Sequence, residues 1–129
     1  MTSILGNTRR ADITFHPRGH IDITARVSRL LDLHCGDIID IAVEAGEYFL
    51  YVKHRADTVA GRHEATLYPT SRRVKRCRNL RCHSRRLCRV MLDVCNTAGI
   101  LRLPVGEPTD LRGTSALPII TRLAIKPTS

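Results

Sequence analysis

The sequence contains no tryptophan, and only two phenylalanines and three tyrosines accompany that absence. A core in this chain must therefore be assembled from Ile, Leu and Val. A stacking platform of interleaved aromatics for single-stranded nucleic acid is not expected, because none occurs after Pro69. Uninterrupted apolar runs fall short of the ~18 residues that a membrane-crossing helix needs. The opening "MTSILGNTRRADIT" lacks the apolar centre of a signal peptide. These absences lead to the expectation of a cytoplasmic protein with no membrane partner.

Catalytic signatures are missing as well. The six histidines, at 16, 20, 34, 54, 63 and 83, form no HExxH motif and no triad order, and no glycine-rich phosphate loop is present. His63-Glu64 near His54 reads as a satisfied strand histidine. No enzyme activity, catalytic residue or cofactor is expected. The five cysteines, at 35, 77, 82, 88 and 95, are an odd count without a signal peptide, which argues against a disulfide framework. Cys77, Cys82, His83 and Cys88 raise zinc, but their C-x4-C-H-x4-C spacing departs from the paired ligands of structural sites. No metal is expected. Cys88 and Cys95, seven apart, share one helical face and read as small core hydrophobes. A second reading lets thiols among many arginines carry a lowered pKa and sense oxidation.

What the chain does have is localised positive charge. The 21 Lys and Arg exceed the 12 Asp and Glu, and the formal net charge is +9. Residues 1–60 are nearly neutral, with 7 basic and 8 acidic groups, whereas residues 61–129 carry 14 basic and 4 acidic groups. Basicity confined to one half suggests a surface for a polyanion.

At 129 residues the chain fits one domain and is long enough for a core without staples. "DITFH" (12–16) and "HIDIT" (20–24) alternate apolar and polar residues around the turn "PRG", which predicts a hairpin with Ile13, Phe15, Ile21 and Ile23 inward. "ARVSRLLDL" (25–33) changes to a helical period with Val27, Leu30, Leu31 and Leu33 on one face. Thr24 stands as N-cap and Gly36 at the close. "DIIDIAV" (37–43) and "YFLYVKH" (48–54) return to strand. Residues 55–62 read as a connector and 1–11 as a flexible N-terminus. In 63–129, "HEATLYP" (63–69) predicts a strand and "TSRRVKRCRNLRCH" an exposed loop or irregular strand. "SRRLCRVMLDVCNTAG" (84–99) predicts a helix capped by Ser84, with Leu87, Val90, Met91 and Val94 as its apolar stripe. "ILRLPV" and "ALPIITRLAI" predict two late strands around a "GEPTDLRGTS" loop. The fold class is α+β, a β-β-α-β-β unit followed by a basic β-α-β-β segment. The second segment either stands as a separate domain or packs with the first.

Residues 12–54 resemble the AbrB/MazE swapped-hairpin family. Gly19, Ile21, Ile23, Val27, Leu31, Leu33, Gly36, Asp37, Ile39 and Ile41 fall on that family's pattern of glycines, apolar positions and Gly-Asp after the helix. The resemblance covers about a third of the chain. It implies a swapped-hairpin-like barrel half that is completed by a second copy, hence an obligate homodimer, and a role in DNA binding and transcription regulation. His20 stands where the family has Arg, Thr24 where it has Pro, and Ser28 where it has Arg. Arg18, Arg26 and Arg29 stand nearby as substitutes, and Asp22 on the outer face would repel phosphate.

The strongest candidate for contact is "RRVKRCRNLRCHSRRLCR" (72–89), with nine Arg or Lys and no acid in 18 residues. Arg72, Arg73, Lys75, Arg76, Arg78 and Arg81 precede the second helix, and Arg85, Arg86 and Arg89 lie on it, opposite the expected apolar stripe. Arg suits phosphate oxygens, and such a run fits the backbone of duplex DNA. The sequence thus predicts a dimeric nucleic-acid-binding protein in a regulatory or accessory role. The alternative is a dimeric scaffold whose arginine strip docks an acidic protein.

Overall fold

Alternation along the first two strands is what the fold is built on. In the computed structural model of the chain, residues 11–58, 61, 63–71 and 78–123 are described. The basic residues Arg72, Arg73, Lys75 and Arg76, Cys77, and residues 1–10 of the expected N-terminal segment lie outside them. β1 (Ile13–Phe15) and β2 (His20–Ile23) form the expected hairpin and bury Ile13, Phe15, Ile21 and Ile23. α1 (Ala25–Leu30) follows, then a second hairpin of β3 (Ile38–Glu44) and β4 (Glu47–His54), and a 3-10 turn at Ala56–Thr58. The other half contains β5 (Tyr68–Pro69), β6 (Leu80–His83), α2 (Arg85–Val94), β7 (Leu101–Leu103), β8 (Thr109–Leu111), β9 (Thr114–Ile119) and a closing 3-10 turn.

The molecule is mixed α+β, mostly strand, in two antiparallel sheets. One sheet has the order β5-β6-β2-β1-β7, the other β3-β4-β9-β8. Each is joined across the two halves of the chain. β2 pairs with β6, aligning His20 with His83, Ile21 with Cys82, Asp22 with Arg81 and Ile23 with Leu80. β4 pairs with β9, aligning Leu50 with Leu117. β1 pairs with β7. The start of β3 meets the residues before β5, through Ile39 N to Ala65 O (3.2 Å) and Leu67 N to Asp37 O (2.8 Å). One buried cluster accordingly takes Ile13, Phe15, Ile21, Val27 and Leu50 from the first half and Leu67, Leu80, Met91, Leu103 and Leu117 from the second.

This bears on the expected second copy. That expectation rested on the family resemblance; within this chain, strands of the second half pair with strands of the first. Each helix start is also tied to the opposite half: Ala25 N donates to Asn79 Oδ1 (2.8 Å), and Ser84 N donates to Gly19 O (2.8 Å). Ser28 is fully buried and its hydroxyl donates to the Arg78 carbonyl (2.7 Å). An arginine at that position would have no room.

Three local expectations are corrected. α1 ends at Leu30, not near Leu33. Asp32 adopts a positive φ of 53° and Leu33 N bonds back to Ser28 O (2.8 Å), returning Leu33 to the core. Gly36 lies in the turn before β3 instead, where a Cβ would approach Ala56 to 2.9 Å. The second half has two more strands than the expected β-α-β-β order, since "LRCH" forms β6 and "TDL" forms β8, which pairs with β9 in a hairpin. The core stripe of α2 is Cys88, Met91, Leu92 and Cys95, one position on from the predicted stripe and so turned by ~100°. Val90 and Val94 are exposed.

Leu50 sits at the β4–β9 crossing with no exposed surface. Leu50→Ala is expected to destabilise the protein by about 3 kcal/mol. It should lower a single urea transition, seen at one midpoint by circular dichroism and by tyrosine fluorescence. Two separated transitions would contradict a core shared by both halves.

Candidate nucleic-acid interface

The turn Pro17-Arg18-Gly19 leads from β1 into β2 and lies against the first turn of α2. Gly19 has a φ of +108°, and a Cβ there would come within 2.8 Å of Arg85 Cγ. Only glycine gives both the backbone angle and the close approach. That approach sets Arg18 beside Arg85. Arg85 and Arg89 are one helical turn apart, and all three guanidinium-bearing residues line an open groove of about 490 Å3 with Leu92, Asp93 and Thr97. Arg18 and Arg85 also border a second depression of about 570 Å3 with His20, Glu64 and His83. Among the described residues, no ion pair engages Arg18, Arg85 or Arg89, and all three are exposed.

The other sequence candidates divide differently. Arg81 is held across the β2–β6 pair by Asp22, with Nη2 to Oδ2 at 3.0 Å and Nε to Oδ1 at 2.5 Å. His16 Nε2 bonds the same carboxylate at 2.9 Å. Burial alone would raise the Asp22 pKa, but the hydrogen bonds from Arg81 and His16 outweigh it and hold the carboxyl below its usual value. Arg86 grips Glu64 with two nitrogens (Nη2–Oε2 2.7 Å), and Ser84 Oγ donates to Glu64 Oε1 at 2.6 Å. Arg26 is drawn to buried Asp12 (3.1 Å), which also accepts Val105 N (2.9 Å). Arg29, in the last turn of α1, and Arg78, whose carbonyl accepts the Ser28 hydroxyl, are exposed and do not line the groove. The twelve basic residues chosen from the sequence therefore include three that form one groove, three committed to carboxylates and two elsewhere on the surface, with four outside the described residues.

The cysteines behave as their burial dictates. Cys82 is buried and its thiol is pushed up to about 12, and burial also raises Cys88. The idea that nearby arginines would lower these thiol pKa values is thus overturned, because desolvation dominates where the guanidinium groups face outward. Cys82 points into the core while His83, next along β6, lies on the exposed face, so the two diverge rather than converge on an ion. Among the described residues no group of His, Cys, Asp and Glu is arranged to hold a metal.

Sequence reasoning missed a row of rings on the exposed face of the five-stranded sheet. His16 and His20 have ring centroids 4.2 Å apart, His20 and His83 5.6 Å, and His83 and Tyr68 5.8 Å. Tyr68 Oη and His83 Nε2 are hydrogen-bonded at 2.8 Å. The alternation of "HIDI" and "LRCH" put His20 and His83 on outer faces. Only the β2–β6 register makes them neighbours.

Asp22→Asn is expected to cost about 1–2 kcal/mol at neutral pH, since Arg81 loses a charged partner. The carboxyl is lowered in the folded state, so its contribution is full above the ordinary value of 3.8 and disappears as pH falls through the lowered native value. The gap between variant and parent in urea unfolding should therefore narrow below pH 3.8; a gap that widened in acid would contradict this account. No described helix is long and apolar enough to cross a membrane. No protein-family model, curated protein or solved structure matches the chain.

Proposed function

We propose that this protein binds nucleic acid in a regulatory or accessory role, holding the phosphate backbone of duplex DNA through Arg18, Arg85 and Arg89. The observation that carries the reading is the selective state of the arginines. Arg26, Arg81 and Arg86 are neutralised by carboxylates, whereas these three share one groove and have no such partner among the described residues. Asp22, which would have repelled phosphate, is itself balanced by Arg81 and His16. Arg presents a planar fork that matches phosphate oxygens, and an uncommitted guanidinium can be transferred to phosphate without breaking an internal pair.

The fold reading proposed with it is an internally doubled form of the AbrB/MazE-like hairpin. Three features support it. β2 and β6 each precede a helix and pair with one another; β4 and β9 pair with one another in the other sheet; and the start of each helix is anchored by the opposite half. In this reading the second half of the chain stands where the family places a second copy, so one chain suffices to form the surface.

The test is fluorescence anisotropy with a duplex of arbitrary sequence over a range of salt. Each phosphate contact contributes roughly 0.9 to the slope of log K against log salt. Replacing Arg18, Arg85 and Arg89 together by Ala should weaken binding and flatten that slope by up to about 2.7. Unchanged affinity and slope would sink the proposal. Displacement by polyglutamate as effective as by duplex DNA would favour an acidic protein partner instead.

A further inference from the structure

The depression beside the groove combines two chemistries. Arg18 and Arg85 stand on its rim, and the rings of His20 and His83 form part of its wall. The His83 ring lies nearly parallel to Tyr68, with an interplanar angle of 13°, and their hydrogen bond makes the two rings one extended plate. His83 is exposed and Tyr68 is 38 % exposed, so the plate faces solvent. The plate lies at the β5–β6 side of the sheet, where Tyr68, Arg81 and Asp22 are consecutive cross-strand neighbours. There the Arg81–Asp22 pair cancels the local charge. Burial lowers the pKa of His20, and the charges of His16 and Arg81 lower it further, which favours a neutral ring at neutral pH.

We propose that this face is a subsite for an unpaired nucleobase, stacked on His83 and Tyr68 beside His20, while Arg18 and Arg85 hold the phosphates flanking it. The inference rests on the nucleic-acid reading and narrows it, because a base inside a duplex shows only its edge and cannot lie on the plate. The preferred ligand is then a duplex carrying a short single-stranded end: paired backbone in the arginine groove, the first unpaired base on the sheet. Exposed rings on a sheet face take unstacked bases by their π-faces, with little regard for sequence.

The experiment compares two labelled probes on the full chain at one salt concentration, a blunt duplex and the same duplex with a three-nucleotide overhang. The overhang probe should bind about tenfold more tightly. Tyr68→Ala and His83→Ala should each reduce that advantage and leave blunt-duplex affinity unchanged. Tyr68→Phe, which keeps the ring and removes the hydroxyl, should retain it. Equal binding of the two probes by the parent protein overturns this inference while leaving the backbone reading intact. So does an advantage that survives both Ala variants. Binding of neither probe removes both.

Discussion

The pairing of β2 with β6 is the contact on which the rest depends. Each strand ends a short hairpin, and each would expose a line of unpaired backbone groups if left at an edge. Their union joins β1–β2 to β5–β6 across more than fifty residues of chain, β7 completes the five-stranded sheet beside β1, and the β4–β9 pair joins the two halves in the second sheet. The apolar side chains of both hairpins then meet in one interior. With few aromatics available, that interior is filled by Ile, Leu and Val, assisted by Met91 and the buried cysteines.

The same pairing sorts the charges. Antiparallel register sets Asp22 opposite Arg81, and packing α2 beside residues 63–65 brings Arg86 to Glu64. Inside the molecule, Asp12 and Asp37 accept backbone amides as well as an arginine each, so neither carboxylate is buried unpaired. Carboxylates thus hold Arg26, Arg55, Arg81, Arg86 and Arg112, while among the described residues Arg18, Arg85 and Arg89 have no ion pair. A basic run in sequence is consequently not equivalent to a basic surface. Arg81 and Arg85 are four residues apart, yet one is an internal counter-ion of the sheet and the other stands on the rim of an open groove.

Much of the first half was legible because its signals are local. Residues in a strand alternate faces whatever the partner, so Ile13, Phe15, Ile21 and Ile23 could be assigned inward from "DITFH" and "HIDIT" alone. Ser84 caps α2 as its position suggested, accepting Leu87 N at 3.1 Å. "LRCH" was obscured because its inward residues are Leu80 and Cys82 amid arginines, so the alternation looked polar. The stripe on α2 was misplaced for a related reason: Val90 and Val94 are more apolar by type, but Cys88 and Cys95 are the residues that face the core.

The sequence by itself determined the composition of the interior, the turns that fold the first hairpin back, and the presence of a concentrated positive charge in the second half. Tertiary structure alone decided which strands from opposite halves become neighbours, which arginines surrender their charge to a carboxylate, and that His20, His83 and Tyr68 form one exposed face. The physical reason is range. Turn chemistry and periodicity act over a few residues, whereas cross-strand partners and ion pairs are fixed only when distant segments are brought into register by a shared core.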